Sequence, residues 1–138
     1  MNLTVARALL VQMALVQGFA AVFALFWPHA FFDDFPVPGA NWVDALPPYN
    51  EHLVRDYGAS FLALSALAAF AAYYAERRLI VVTAIVWEIS ALPHAIFHFA
   101  HSDAPPGWEG ALSLATLAIN VIAPLLVLYL VRKEPVTP

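Results

Sequence analysis

A chain of 138 residues that is 62% hydrophobic, carries a net charge of -4 and contains no cysteine excludes several classes at once. Its mean hydropathy of +0.74 is more than one small soluble core can hide, so much of the apolar surface must meet lipid. The missing cysteines exclude disulfides, thiolate metal sites and thiol redox chemistry, the two methionines disfavour a copper(I) site, and the acidic balance excludes nucleic-acid binding.

Residues 8–32 contain no Asp, Glu, Lys or Arg, and a spanning helix needs roughly 20 mostly apolar residues. A first membrane helix is therefore expected over residues 5–30. Arg7 ahead of an apolar run resembles a secretory signal, but the run is too long for one and no cleavage site follows. The helix ends in Pro28-His29-Ala30-Phe31-Phe32-Asp33, which places His29 and Asp33 one turn apart.

The next stretch, "FFDDFPVPGANWVDALPPYN", is broken by Pro36, Pro38, Gly39, Pro47 and Pro48, while Phe31, Phe32, Phe35, Trp42 and Tyr49 suit a membrane surface. It reads as a long outer loop lying over the bundle. A second helix, 51–75, opens "NEHLVRDYGAS": Asn50 is the expected N-cap, and Glu51 complements the positive end of the dipole. Glu51 with Arg55, and His52 with Asp56, form two i, i+4 pairs. Asp56 enters the membrane, where an ionised group needs a partner. The Ala-, Gly- and Ser-rich remainder of this helix predicts close packing inside the bundle first and a homodimer second.

A third helix, 79–101, carries Glu88 near its middle and ends "PHAIFHFAH". Asn120, Gln12 and Gln17 are the expected partners of Glu88. Pro93 predicts a kink just before the histidines. His94, His98 and His101 fall within about 60° of arc, on one stripe that places His94 roughly 10 Å deeper than His101. "PHAIFH" also matches "PHAFFD" of the first helix, suggesting a parallel internal repeat. A fourth helix is expected over 109–131.

Arg7, Arg77, Arg78, Arg132 and Lys133 sit at alternate turns of this hairpin order, which places both termini in the cytoplasm. Asp33, Asp34, Asp44, Glu51, Asp56, Asp103 and Glu109 then fall outside, as do all five histidines. The fold expected is a single all-α, integral membrane four-helix bundle spanning the whole chain.

The "FFDDFP…NW" loop, "NEHLVRDYGASFLAL" and the histidine-rich end of the third helix resemble small four-helix membrane proteins common in actinobacteria, and more distantly the DoxX-like group. The resemblance covers residues 31–108. It implies the four-helix fold, and DoxX-like proteins are linked to quinone or sulfur-compound oxidation as membrane partners of redox enzymes.

The residues themselves point to a His/carboxylate site at the outer face. An i, i+4 pair from one helix plus groups from a facing helix is how bundles hold a divalent metal, here zinc or iron. His94 and His98 supply the pair, with His52, His101, His29 and Asp33 as further ligands. Asp56 and Glu51 are the expected proton-handling residues, and the substrate is expected to be hydrophobic or lipid-like. Haem held by two histidines is a third option. The competing class is non-enzymatic: a protein binding membrane lipid, quinone or another small hydrophobic ligand, or an accessory subunit of a membrane complex.

Overall fold

A computed structural model of the chain describes residues 2–44, 48–101 and 106–132, so Pro47, Asp103 and Lys133 lie outside the described residues. The described residues form helices α1 (Leu3–Phe26), α2 (Pro28–Asp34), α3 (Glu51–Tyr74), α4 (Arg77–His101) and α5 (Trp108–Arg132), with no strand among them. Four of these, α1, α3, α4 and α5, are long and apolar enough to cross a membrane. Leu15, Phe19, Tyr73, Ile89, Ile96 and Ile122 turn outward and remain exposed, as expected where lipid replaces water around a bundle.

Local chemistry sets the helix ends. Asn2 caps α1 by accepting from the Val5 amide, and Asn50 caps α3 by accepting from the Leu53 amide at 3.1 Å. Ala75 ends α3 in the left-handed conformation, with φ 56°, and the chain turns directly into α4. The first helix is shorter than its composition implies. Trp27 leaves helical geometry at φ -131°, ψ 60°, and Pro28 starts α2 at a first-turn position, where its missing amide costs nothing. Phe31 to Asp34, expected in a loop, are therefore helical. Pro93 behaves differently and lies inside an uninterrupted α4, so the two Pro-His-Ala copies do not take equivalent backbone positions.

The long helices form a ring. α1 packs on α3 and α5, and α4 packs on α5 and α3; the α1–α3 seam is the most extensive and the α3–α4 seam the slightest. Small side chains explain the first. Ala6, Ala20, Ala21 and Ala24 of α1 meet Gly58, Ser65, Ala68, Ala71 and Ala72 of α3, all buried, which lets the two backbones approach. The centre of the ring is filled by Leu10, Met13, Ile80, Trp87 and Val127. A second cluster, Phe31 with Ala20, Ala24 and Val54, joined by Phe23, Phe35, Tyr49 and Tyr57, seats α2 on the end of the α1–α3 pair.

Three arginines tie neighbouring helices together at their C-terminal ends. Arg7 Nε donates to the Ala72 carbonyl at 2.9 Å, Arg77 Nε to the Val131 carbonyl at 3.1 Å, and Arg55 Nη1 to the Leu25 carbonyl. Each acceptor lies in a last turn, whose carbonyls lack intrahelical partners and carry the negative end of the dipole. Arg7→Met should therefore lower stability by about 1 kcal/mol. Thermal unfolding in detergent that matches the parent protein would refute this role.

These bonds also define the antiparallel order. The ends carrying Arg7, Ala72, Arg77 and Val131 come together, and the opposite end holds the start of α3 and the end of α4. His29, His52, His94, His98 and His101 all belong to that second end.

Candidate functional site

The interior stripe of α4 carries the histidines. Ile80, Thr83 and Trp87 are buried at the heart of the bundle, and at 100° per residue His94, His98 and His101 continue their stripe. Yet His94 and His101 are exposed and His98 is half-buried. The face that is core at one end of α4 is open at the other.

That seam holds a cavity of about 360 Å³ lined by Ser60, Phe61, Ala63, Leu64 and Leu67 of α3 with Val86 and Ser90 of α4. The two helices are antiparallel. One turn beyond Ser60 lies Asp56, and one turn beyond Ser90 lies His94, so these two come level at the mouth. A further turn brings His52 level with His98. Two polar i, i+4 pairs thus flank one seam at one height.

Each pair is formed. His52 Nε2 lies 3.3 Å from Asp56 Oδ2, with side-chain exposures of 87% and 60%, so the interaction is solvent-screened. The His94 and His98 rings meet edge to face, 4.6 Å between centroids. His101 stacks on Phe97 at 4.2 Å, and its Nδ1 lies 2.8 Å from the Phe97 carbonyl. Among the described residues no three His, Asp or Glu side chains converge closely enough to hold a metal ion. The donor types and their heights match a metal site; their convergence does not.

His29 and Asp33 are placed elsewhere. They ride on α2, which packs against α1 and α3 and makes no contact with α4, and the His29 ring stacks on Tyr49 at 4.1 Å. The break at Trp27 causes this, since it turns α2 out of the axis of α1. Glu51 is also engaged, because its carboxylate accepts from Arg55 Nε at 2.8 Å while that guanidinium caps α1. The pair holds the guanidinium over the last turn of α1. Beside it the Tyr49 hydroxyl is walled off without a partner among the described residues. Desolvation, then the Glu51 charge, pushes this phenol above its ordinary pKa, with Arg55 opposing and Asp33 adding to the rise.

Glu88 does not meet the partners its sequence suggests. Asn120 Oδ1 accepts from Trp87 Nε1 at 2.9 Å, and Gln17 Nε2 donates to the Tyr57 hydroxyl at 2.9 Å. Glu88 Oε1 is buried without a partner among the described residues. Trp87 and Glu88 are neighbours and so stand about 100° apart on α4; the tryptophan, not the acid, occupies the inward position that reaches Asn120.

Sequence reasoning missed a second concavity, about 810 Å³, between α1 and α3. Ala14, Gly18, Val22 and Trp27 form one wall, Leu62, Ala66 and Ala69 the other, and Pro36, Val37 and Pro38 overhang one end. Two of its side chains carry a polar atom: Trp27, with its indole N–H, and Ser65, which donates its hydroxyl to the Phe61 carbonyl of its own helix at 2.8 Å. The signal was present in Gly18 and Ser65, but only packing reveals that they face each other, 3.6 Å from the position a Cβ on Gly18 would take.

No family model, curated protein or solved structure matches this chain.

Proposed function

We propose that this is a multi-pass membrane protein that works at the mouth of the α3–α4 seam, where His94 and His98 with His52 and Asp56 bind a divalent metal, zinc or iron, next to a hydrophobic or lipid-like molecule. The observation that supports this reading is the common height of the two pairs across a seam slack enough to admit an ion. Closure of that seam, or rotation of the exposed His52 and Asp56 side chains, would bring the donors together, as bundles build such sites from facing helices. The bound metal would supply a Lewis acid there. Asp56, already beside an imidazole, would hold or move a proton. The site lies on the outer face and both termini are cytoplasmic, a reading supported by Arg7, Arg77, Arg78 and Arg132 at the opposite end.

The test is elemental analysis of protein purified without chelator, beside His94→Ala and His98→Ala variants that retain the parent thermal unfolding. Near-stoichiometric zinc or iron, lost in both variants, is expected. Metal-free parent protein would overturn the reading. A second reading, non-enzymatic binding of an apolar molecule, draws on the α1–α3 groove, whose walls suit a lipid or quinone chain.

A further inference from the structure

Among the described residues Glu88 is the one acid or base at the middle of a membrane-spanning helix. It stands about 16 Å along α4 from Arg77, close to the centre of a hydrocarbon core about 30 Å thick. Its stripe faces α5. Arg77 and Glu88 lie within about 20° of each other around α4, and Arg77 Nε reaches the Val131 carbonyl of α5 at 3.1 Å. The level on α5 is fixed by the neighbouring Trp87, whose Nε1 lies 2.9 Å from Asn120 Oδ1. At that level α5 carries a second acceptor: Pro124 has no amide to give the Asn120 main-chain carbonyl, which is deprived of its helical partner. Glu88 also marks an edge. One turn away on the inner side, Ala84 and Ala91 are 0% and 2% exposed, whereas on the outer side Ile85 and Leu92 are both 47% exposed. The half-buried acid thus lies where the α4–α5 seam meets lipid.

We infer that this edge is an interaction surface for a membrane helix of another protein that carries a lysine or arginine at mid-depth. Its cation sits between the Glu88 carboxylate and the Asn120 carbonyl, and its apolar flanks pack on Ile85, Ile89 and Leu92. Charge complementarity selects this partner. A carboxylate at this depth requires an opposite charge, and Glu88 Oε1 is buried with no partner among the described residues. The chain does not supply one. Arg7, Arg55, Arg77, Arg78 and Arg132 all stand near helix ends, and a second copy would bring the same set. His94 lies about 9 Å further along α4 and about 120° round it. An ammonium or guanidinium has donors enough for both acceptors, and such charge-assisted bonds are the strong ones. The exposed isoleucines and leucine supply the packing surface that helix association in lipid needs. This edge is independent of the α3–α4 mouth, since Val86 and Ser90 of the crevice there lie about 160° round α4 from Glu88.

The experiment places the full chain in phosphatidylcholine vesicles with a synthetic Leu/Ala helix of about 23 residues bearing one central lysine, beside the same helix with leucine at that position. Energy transfer between labels on chain and peptide measures association. Dicyclohexylcarbodiimide, which joins a carboxyl to an amine in contact with it, maps the contact by peptide mass spectrometry. The lysine peptide is expected to associate at least about tenfold more tightly than the leucine peptide, the factor a charged hydrogen bond is worth, and to cross-link at Glu88. Glu88→Gln, nearly the same in shape, should remove the preference. Should that variant fail to fold, the cross-link map of the parent chain decides. Equal association of the two peptides, cross-links confined to Asp33, Glu51 or Asp56, or an unaltered preference in Glu88→Gln would overturn the inference. Self-association of the chain that is lost in Glu88→Gln, with no preference between peptides, would also overturn it and give the edge to a second copy.

Discussion

Gly58→Val should destabilise the bundle by about 3 kcal/mol or more, enough to prevent accumulation of folded protein. A Cβ at this position would lie 2.7 Å from the Leu25 amide nitrogen, 2.8 Å from the Ala21 carbonyl oxygen and 3.0 Å from the Leu25 Cα. These are backbone atoms of α1 and cannot rotate away. The helices would have to separate, and α1–α3 is the most extensive seam of the fold. Separation would also pull the Leu25 carbonyl from Arg55 and loosen the aromatic cluster that seats α2. Gly18→Ala is the control. Its Cβ would meet Ser65 Cβ at 3.6 Å, an ordinary contact, and the exchange of glycine for alanine within a helix favours the folded state by up to about 1 kcal/mol. Thermal unfolding of both variants in one detergent measures the difference, and equal midpoints would refute close backbone approach at Gly58.

Trp87→Ala is expected to cost about 3–5 kcal/mol. The side chain is 1% exposed and stands where four helices meet, in contact with the cluster of Leu10, Met13, Ile80 and Val127. Nothing nearby can collapse into the space, because the surrounding positions are already filled by small residues such as Ala84, Ala91 and Ala123. Trp87→Phe separates packing from hydrogen bonding. It keeps much of the ring but leaves Asn120 Oδ1 without the indole donor now at 2.9 Å, at a cost of about 1–3 kcal/mol. A phenylalanine variant as unstable as the alanine one would show that the hydrogen bond, not the ring, holds the centre. Neither variant changes a residue of the α3–α4 mouth, so metal content should survive in whatever fraction folds.

The sequence by itself determined what depends on one helix at a time. Four membrane-length helices lie within about four residues of their expected ends, because an uninterrupted apolar run leaves the backbone no partner but itself in lipid. Asn50 as N-cap and the Glu51–Arg55 and His52–Asp56 pairs form as their spacing requires, since positions four apart share a face in any helix. The alignment of His94, His98 and His101 follows from the same periodicity.

Only the tertiary structure decided what depends on neighbours. Pro28 begins a new helix while Pro93 lies inside one, although both stand in Pro-His-Ala, because the aromatic cluster around Phe31 rewards a turn at the first place and the bundle continues past the second. The break carries His29 and Asp33 onto α2, which packs on α1 and α3 and does not touch α4. The ring order of the helices gives Asn120 to Trp87 and Gln17 to Tyr57, leaving Glu88 without either. Arg55, one base among acids in the sequence, becomes the cap of α1 and takes Glu51 with it. Helical periodicity says which residues share a face, but which face meets which helix is settled by how small and large side chains fit together. For that reason the histidine stripe was legible in the chain, while the order and tightness of the helix seams around it were not.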